Sequence, residues 1–152
     1  MATRKEERND LGYVSVRCFL DAYNDSNKYF IRENTMKYFK LSEFDSPDMV
    51  GSGEAMDMEF LSRLDQARSL CDIPFRITSG YRSEDHNRKV GGVLGSSHTK
   101  GLAADIACTN SAARHIIVTA LLKVGLNRIG IADTFIHVDR DSSKVANVIW
   151  TY

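Results

Sequence analysis

The sequence predicts an α+β domain, a small sheet with helices on one face and a polar site on the other. Three observations carry this. Two segments repeat apolar residues at helical spacing, several short β-branched or aromatic runs are bounded by turn residues, and two of those runs alternate aliphatic with polar side chains. With 152 residues the chain is one ordinary domain, long enough to bury a core without disulfides or a structural metal. Lys+Arg and Asp+Glu both number 20, so no charge excess points to a nucleic-acid partner. Cys18, Cys71 and Cys108 are odd in number and widely spaced, which fits reduced thiols better than a disulfide framework. The opening MATRKEERND leads into no apolar run of signal-peptide length, and nothing approaches the roughly 20 apolar residues that span a bilayer. A soluble monomer made in the cytoplasm, without membrane insertion, is expected.

Residues 1 to 35 read as an N-terminal extension, either a small docked helix or a partly disordered arm, and residues 36 to 152 as the domain proper. KYFKLSEFDSPD predicts an extended segment pinned to the domain by Phe39 and Phe44. In MDMEFLSRLDQARSLCD, Met56, Phe60, Leu64, Ala67 and Cys71 share one face of a helix that Pro74 ends. IPFRITSGYRS reads as a strand turning at Gly80. SEDHNRKVGG reads as a short helix or turn capped by Ser83 and closed by Gly91 and Gly92. A strand in GLAADIAC precedes the helix NSAARHIIVTALLKVG, capped at Asn110 or Ser111 and stopped at Gly125. NRIGIADTFIHVDRD reads as two strands joined near Ala132 and Asp133, and VANVIWTY as one more.

Strand alternation then sorts the polar groups. Leu102, Ala104 and Ile106 lie on one face and Ala103, Asp105 and Ala107 on the other. Ile136 and Val138 oppose Phe135, His137 and Asp139. If both aliphatic faces rest on helices, Asp105 and His137 project from the same side of the sheet. His98, in the loop before the first of these strands, folds over that face if Gly101 supplies a sharp turn. A buried ionised carboxylate needs compensation. Two imidazoles and one carboxylate around a divalent ion, with a fourth position open, would provide it in the arrangement of catalytic zinc. Pairing of Asp105 with Arg82, and a His137 that simply donates to Asp139, remain open alternatives at this stage.

SGYRSEDHN, residues 79 to 87, followed by VGG, SSHTKGLAADI and FIHVD, resembles the zinc D-alanyl-D-alanine carboxypeptidases. That M15-like peptidase family includes phage endolysins of the L-alanyl-D-glutamate type and shares its metal site with lysostaphin-like peptidases and hedgehog domains. The resemblance spans about residues 37 to 152; its strongest element is SxHxxGxAxD. It implies a small antiparallel sheet with helices packed on one face and a zinc site on the other. It also implies one Zn2+ per chain held by His98, Asp105 and His137, with Arg82 on the oxyanion or a substrate carboxylate. Ser96 would hydrogen-bond substrate, and Tyr81 would wall the cleft. Many members carry an acidic general base three residues before the last histidine, where this chain has Thr134. Asp133, one residue earlier, would reach the attacking water if its turn is bulged. Asp139 would orient an imidazole from behind. His86 and Asn87 read as turn-stabilising, His115 as solvated, and Trp150 as either cleft wall or packing.

The resemblance implies hydrolysis of an amide in the peptide stem of peptidoglycan, either a terminal D-Ala-D-Ala or an internal L-Ala-D-Glu bond. The alternatives are a weak or inactive zinc-containing wall-binding module, and a metal-free fold with a structural Asp105 to Arg82 pair. The missing signal peptide suggests a phage or prophage product, acting in lysis or from the virion.

Overall fold

The computed structural model describes residues 36–152, and the expectation for residues 1 to 35 lies outside them. The chain enters through Phe39 and Phe44, both in the core, whose rings meet edge to face at 5.6 Å. The anchors are as expected, but the segment between them is not extended. Leu41–Phe44 closes a 3-10 turn, because the Glu43 carboxylate accepts from the Lys40 amide while the Lys40 carbonyl accepts from the Glu43 amide. A second such turn, Ser52–Ala55, is tied back by Asp45, which accepts from the amides of Gly51 and Gly53.

Helix α1, Met58–Ser69, begins where Asp57 accepts from the Phe60 amide at 2.7 Å. Phe60, Leu61, Leu64 and Ala67 turn inward and are fully buried. Asp65, also buried, accepts from the amides of Lys37 and Tyr38 and so fastens the entering segment to the helix. Strand β1, Ile77–Ser79, leads to the short helix α2, Glu84–Lys89, capped by Ser83. Strand β2, Ala103–Ala107, is followed by helix α3, Ser111–Lys123, capped by Asn110. Strands β3, Arg128–Ile131, β4, Phe135–Asp139, and β5, Val148–Thr151, complete the domain.

The sheet runs β1-β2-β4-β3-β5. Its inner face is Ala104, Ile106, Ile129, Ile136 and Val138, all fully buried in one core with residues of α1 and α3. The parity read from the sequence therefore holds, since a slip of one residue would exchange these side chains for charged ones. The sheet is mixed rather than wholly antiparallel. The first four strands pair antiparallel, but β5 joins β3 in parallel. Residues 140–147 stay at one end of the sheet and cross β3 to its free edge, and from there the only direction back along the sheet is that of β3.

Gly101 turns the chain into β2 with φ +70°, and a Cβ there would lie 2.2 Å from the Ala55 carbonyl oxygen. Both features exclude a side chain. Gly101→Ala is expected to destabilise the domain by about 1–3 kcal/mol in chemical denaturation. Unchanged stability would contradict this account of the turn.

Candidate metal centre

Register places one residue from every strand in a single row across the outer face: Ser79, Asp105, His137, Gly130 and Trp150. Asp105 and His137 are thus direct cross-strand neighbours, and His137 Nδ1 stands 2.9 Å from Asp105 Oδ1. His98 comes from the loop before β2. Its amide donates to Ser96 Oγ, its carbonyl accepts from the amides of Arg82 and Gly101, and the ring is turned over the row. His98 Nε2 lies 3.3 Å from both His137 Nδ1 and Asp105 Oδ1.

The outer partners fix which ring atoms carry hydrogen. His98 Nδ1 faces the Gly80 carbonyl at 2.7 Å, which can only accept, so Nδ1 is the N–H and Nε2 bears a lone pair. His137 stands between two carboxylates, Asp139 at 3.0 Å from Nε2 and Asp105 at 2.9 Å from Nδ1; in the tautomer that donates to Asp139 the lone pair is on Nδ1. Two nitrogen lone pairs and a carboxylate oxygen therefore converge, all on buried residues. Bonds of about 2.0–2.1 Å to a tetrahedral ion separate neighbouring donors by about 3.3 Å. Two sides of this triangle match that and the third is slightly shorter. The group can hold a metal ion, with carbonyl and carboxylate partners behind the imidazoles.

Arg82 Nη2 donates to Asp105 Oδ2 at 2.8 Å and Nε to Ser79 Oγ. The Asp105 to Arg82 pair and the metal-binding arrangement are not alternatives, because each uses a different carboxylate oxygen. Burial raises the Asp105 pKa, but when protons rather than an ion occupy the triad, hydrogen bonds from His137 and His98 outweigh it and hold the carboxyl well below the usual range. Burial likewise disfavours a charged His137, yet hydrogen bonds to Asp105 and Asp139 hold its pKa above the ordinary value. Asp139 is lowered: burial works against it, and His137 and Arg128 prevail.

The triad opens into a cavity of about 420 Å³ that Arg82, Ser96, Asp139 and Trp150 also line. Trp150 lies 5.6 Å from the His137 ring, tilted 52° to it. Tyr81 instead packs on the hydrophobic core and is not among the lining residues. Asp133 is corrected as well. The register from Arg128 and Asp139 to Ile131 and Ile136 is unbroken, so no bulge turns Asp133 inward. It sits exposed in the turn, its carbonyl accepting from Arg114, outside the lining. Ser83 caps α2 on the His86 amide, Asn87 bonds the Val93 carbonyl, and His115 is exposed. The sequence reading missed Arg128, which pairs with Asp139 at 2.7 Å, and Lys144 and Tyr152 in the cavity wall. Strand parity signals Arg128, two residues before Gly130 on the same face; Lys144 lies in a loop with no such pattern.

A family model described as Peptidase M15 matches residues 37–139, a span that contains the whole triad. No curated protein matches the chain. An ion held by the triad would compete with a proton for His137 Nδ1. Because the metal-free pKa is raised, affinity for the ion is full above that pKa and falls as pH drops through it, about tenfold per unit for one displaced proton. In the metal-free protein, stability from charged His137 is present at low pH and lost as pH rises through the same value. Zn2+ titrations against a competing chelator between about pH 8 and pH 5 test this; an affinity independent of pH would contradict it.

Proposed function

The chain belongs to the peptidase M15 family, and from that premise we propose that it is a zinc-dependent hydrolase of an amide bond in the peptide stem of bacterial peptidoglycan. The observation that carries the reading is the convergence of His98 Nε2, Asp105 Oδ1 and His137 Nδ1 at separations of 2.9 to 3.3 Å. Two imidazoles and one carboxylate suit Zn2+ with a fourth position left for water or substrate. Zinc held there supplies a Lewis acid for the amide carbonyl and brings the pKa of a bound water to about 7.

The remaining work falls to the chain's own groups. The Gly80 carbonyl and Asp139 hold the two imidazoles in their ligating tautomers. Arg82, anchored through Asp105 and Ser79, sets a fixed positive charge beside the triad, suited to a carbonyl oxygen gaining negative charge or to a substrate carboxylate. Ser96, whose Oγ accepts from the His98 amide, lies where it can also meet substrate. Asp133 is not assigned the proton transfer, given its place outside the cavity.

One observation favours a second reading. Among the described residues lining the cavity, Asp105 and Asp139 are the carboxylates, and both are already bonded to an imidazole and an arginine. A zinc-containing module that binds wall peptide and cuts it poorly has the same architecture.

Zinc-loaded protein on purified peptidoglycan tests the two. Release of new amino groups is expected, with masses that identify a D-Ala-D-Ala or an L-Ala-D-Glu cut. His98→Ala, Asp105→Ala and His137→Ala are each expected to lose both the activity and the zinc, about one ion per chain by elemental analysis. Asp133→Ala is expected to stay within about threefold of wild type, as for a surface change. Wall binding without any release would support the second reading, and full activity after complete zinc removal would sink both.

A further inference from the structure

The cleft is polarised along β4. Phe135, His137 and Asp139 all face it, and at about 3.3 Å per residue the ends are about 13 Å apart with His137 midway. At the Phe135 end the wall is aromatic: Phe135 meets Tyr152 at 5.6 Å, and Tyr152 meets Trp150 at 6.3 Å. Gly130 allows this. A Cβ there would lie 2.7 Å from Trp150 Cε2 and 2.8 Å from Tyr152 Cε2, so the bare backbone lets both rings settle on the sheet beside His137.

At the other end stand Arg128 and Lys144, and the charges of the wall do not all cancel. Arg82, level with the triad, is matched by Asp105, and Arg128 by Asp139. Lys144 differs. Its nearest partner is the neutral Ser97 Oγ at 2.8 Å. The carboxylate within reach, buried Asp141, is 3.7 Å away and already bonded to Lys100 at 2.8 Å. Two ammonium groups thus share one carboxylate, and of the two it is Lys144 that lines the cavity.

We infer that Lys144 determines specificity: its ammonium takes a carboxylate of the substrate peptide at the Asp139 end of the cleft, while Phe135 and Tyr152 hold an apolar group at the other. This rests on the reading of the cleft as a peptide site and adds which peptides it prefers. An anion fits because an ammonium facing a partly closed cavity gains a charge-assisted hydrogen bond there.

Trp150 is the only tryptophan of the chain, so its fluorescence reports occupancy without turnover. Full-length protein would be titrated, with zinc and after chelation, with acetyl-D-Ala-D-Ala and its C-terminal amide, and with acetyl-L-Ala-D-Glu and its diamide. The chelated arm removes any coordination of the carboxylate by metal. In that arm at least one acid should bind about tenfold tighter than its amide, the size of one charge-assisted hydrogen bond. Lys144→Met should bring acid and amide within about twofold, and Lys144→Arg, which keeps the charge, should retain the preference. A preference that survives in Lys144→Met would assign the carboxylate to Arg82 or Arg128 and overturn the inference. Equal binding of acid and amide by the wild type, or no fluorescence change with either acid, would overturn it too. A Lys144-dependent preference in a protein that releases no amino groups from peptidoglycan would leave this inference standing and sink the hydrolase reading alone; cleavage without the preference would do the reverse.

Discussion

Three electron pairs, on His98 Nε2, His137 Nδ1 and Asp105 Oδ1, can point at one buried spot, where a proton or a cation can be shared between them. The arrangement is unfavourable by itself: lone pairs repel, and a carboxylate out of water is costly unless bonded. The surroundings enforce it all the same. The Gly80 carbonyl prevents the other tautomer of His98, Asp139 stands ready to take the Nε2 hydrogen of His137, and Arg82 holds Asp105 Oδ2 while leaving Oδ1 to face the spot. A divalent cation resolves the conflict, and preorganisation of this kind leaves little rearrangement to accompany binding.

The sheet makes the geometry rigid. Asp105 and His137 sit on adjacent central strands in direct register, and the opposite faces of those strands are locked into the core by Ile106, Ile136 and Val138. Neither side chain can shift without a register slip that would bring polar groups into the core. His98 depends on a loop, but that loop is tied at several points, through Arg82, Gly101 and Ser96. Beyond His137, buried Asp141 accepts from Ser97, next to His98, while its amide donates to Asp139. One residue thus links the loop of His98 to the strand end that carries His137.

Much of this was legible in the sequence because the alternation in GLAADIAC and TFIHVD leaves few choices. Once the aliphatic faces must be buried, Asp105 and His137 have to share the other face. The caps of the two later helices were equally legible, since Ser83 and Asn110 precede their segments with the expected side-chain acceptors. What parity cannot supply is register, so the Arg128 to Asp139 pair was hidden until β3 and β4 were aligned. It cannot describe turns either. The bulge that would have brought Asp133 inward is absent, and the segment near Leu41 coils because a local Glu43 contact wins over extension. Tyr81, next to a strand end, packs inward, while the aromatic wall comes from β5, whose parallel pairing no local pattern announces.

The central claim is best tested by anomalous diffraction at the zinc absorption edge, on crystals grown with zinc present. The account predicts a single peak inside the triangle, about 2.0–2.1 Å from each of His98 Nε2, Asp105 Oδ1 and His137 Nδ1. A map with no peak there, or with the ion held by other side chains, would contradict it.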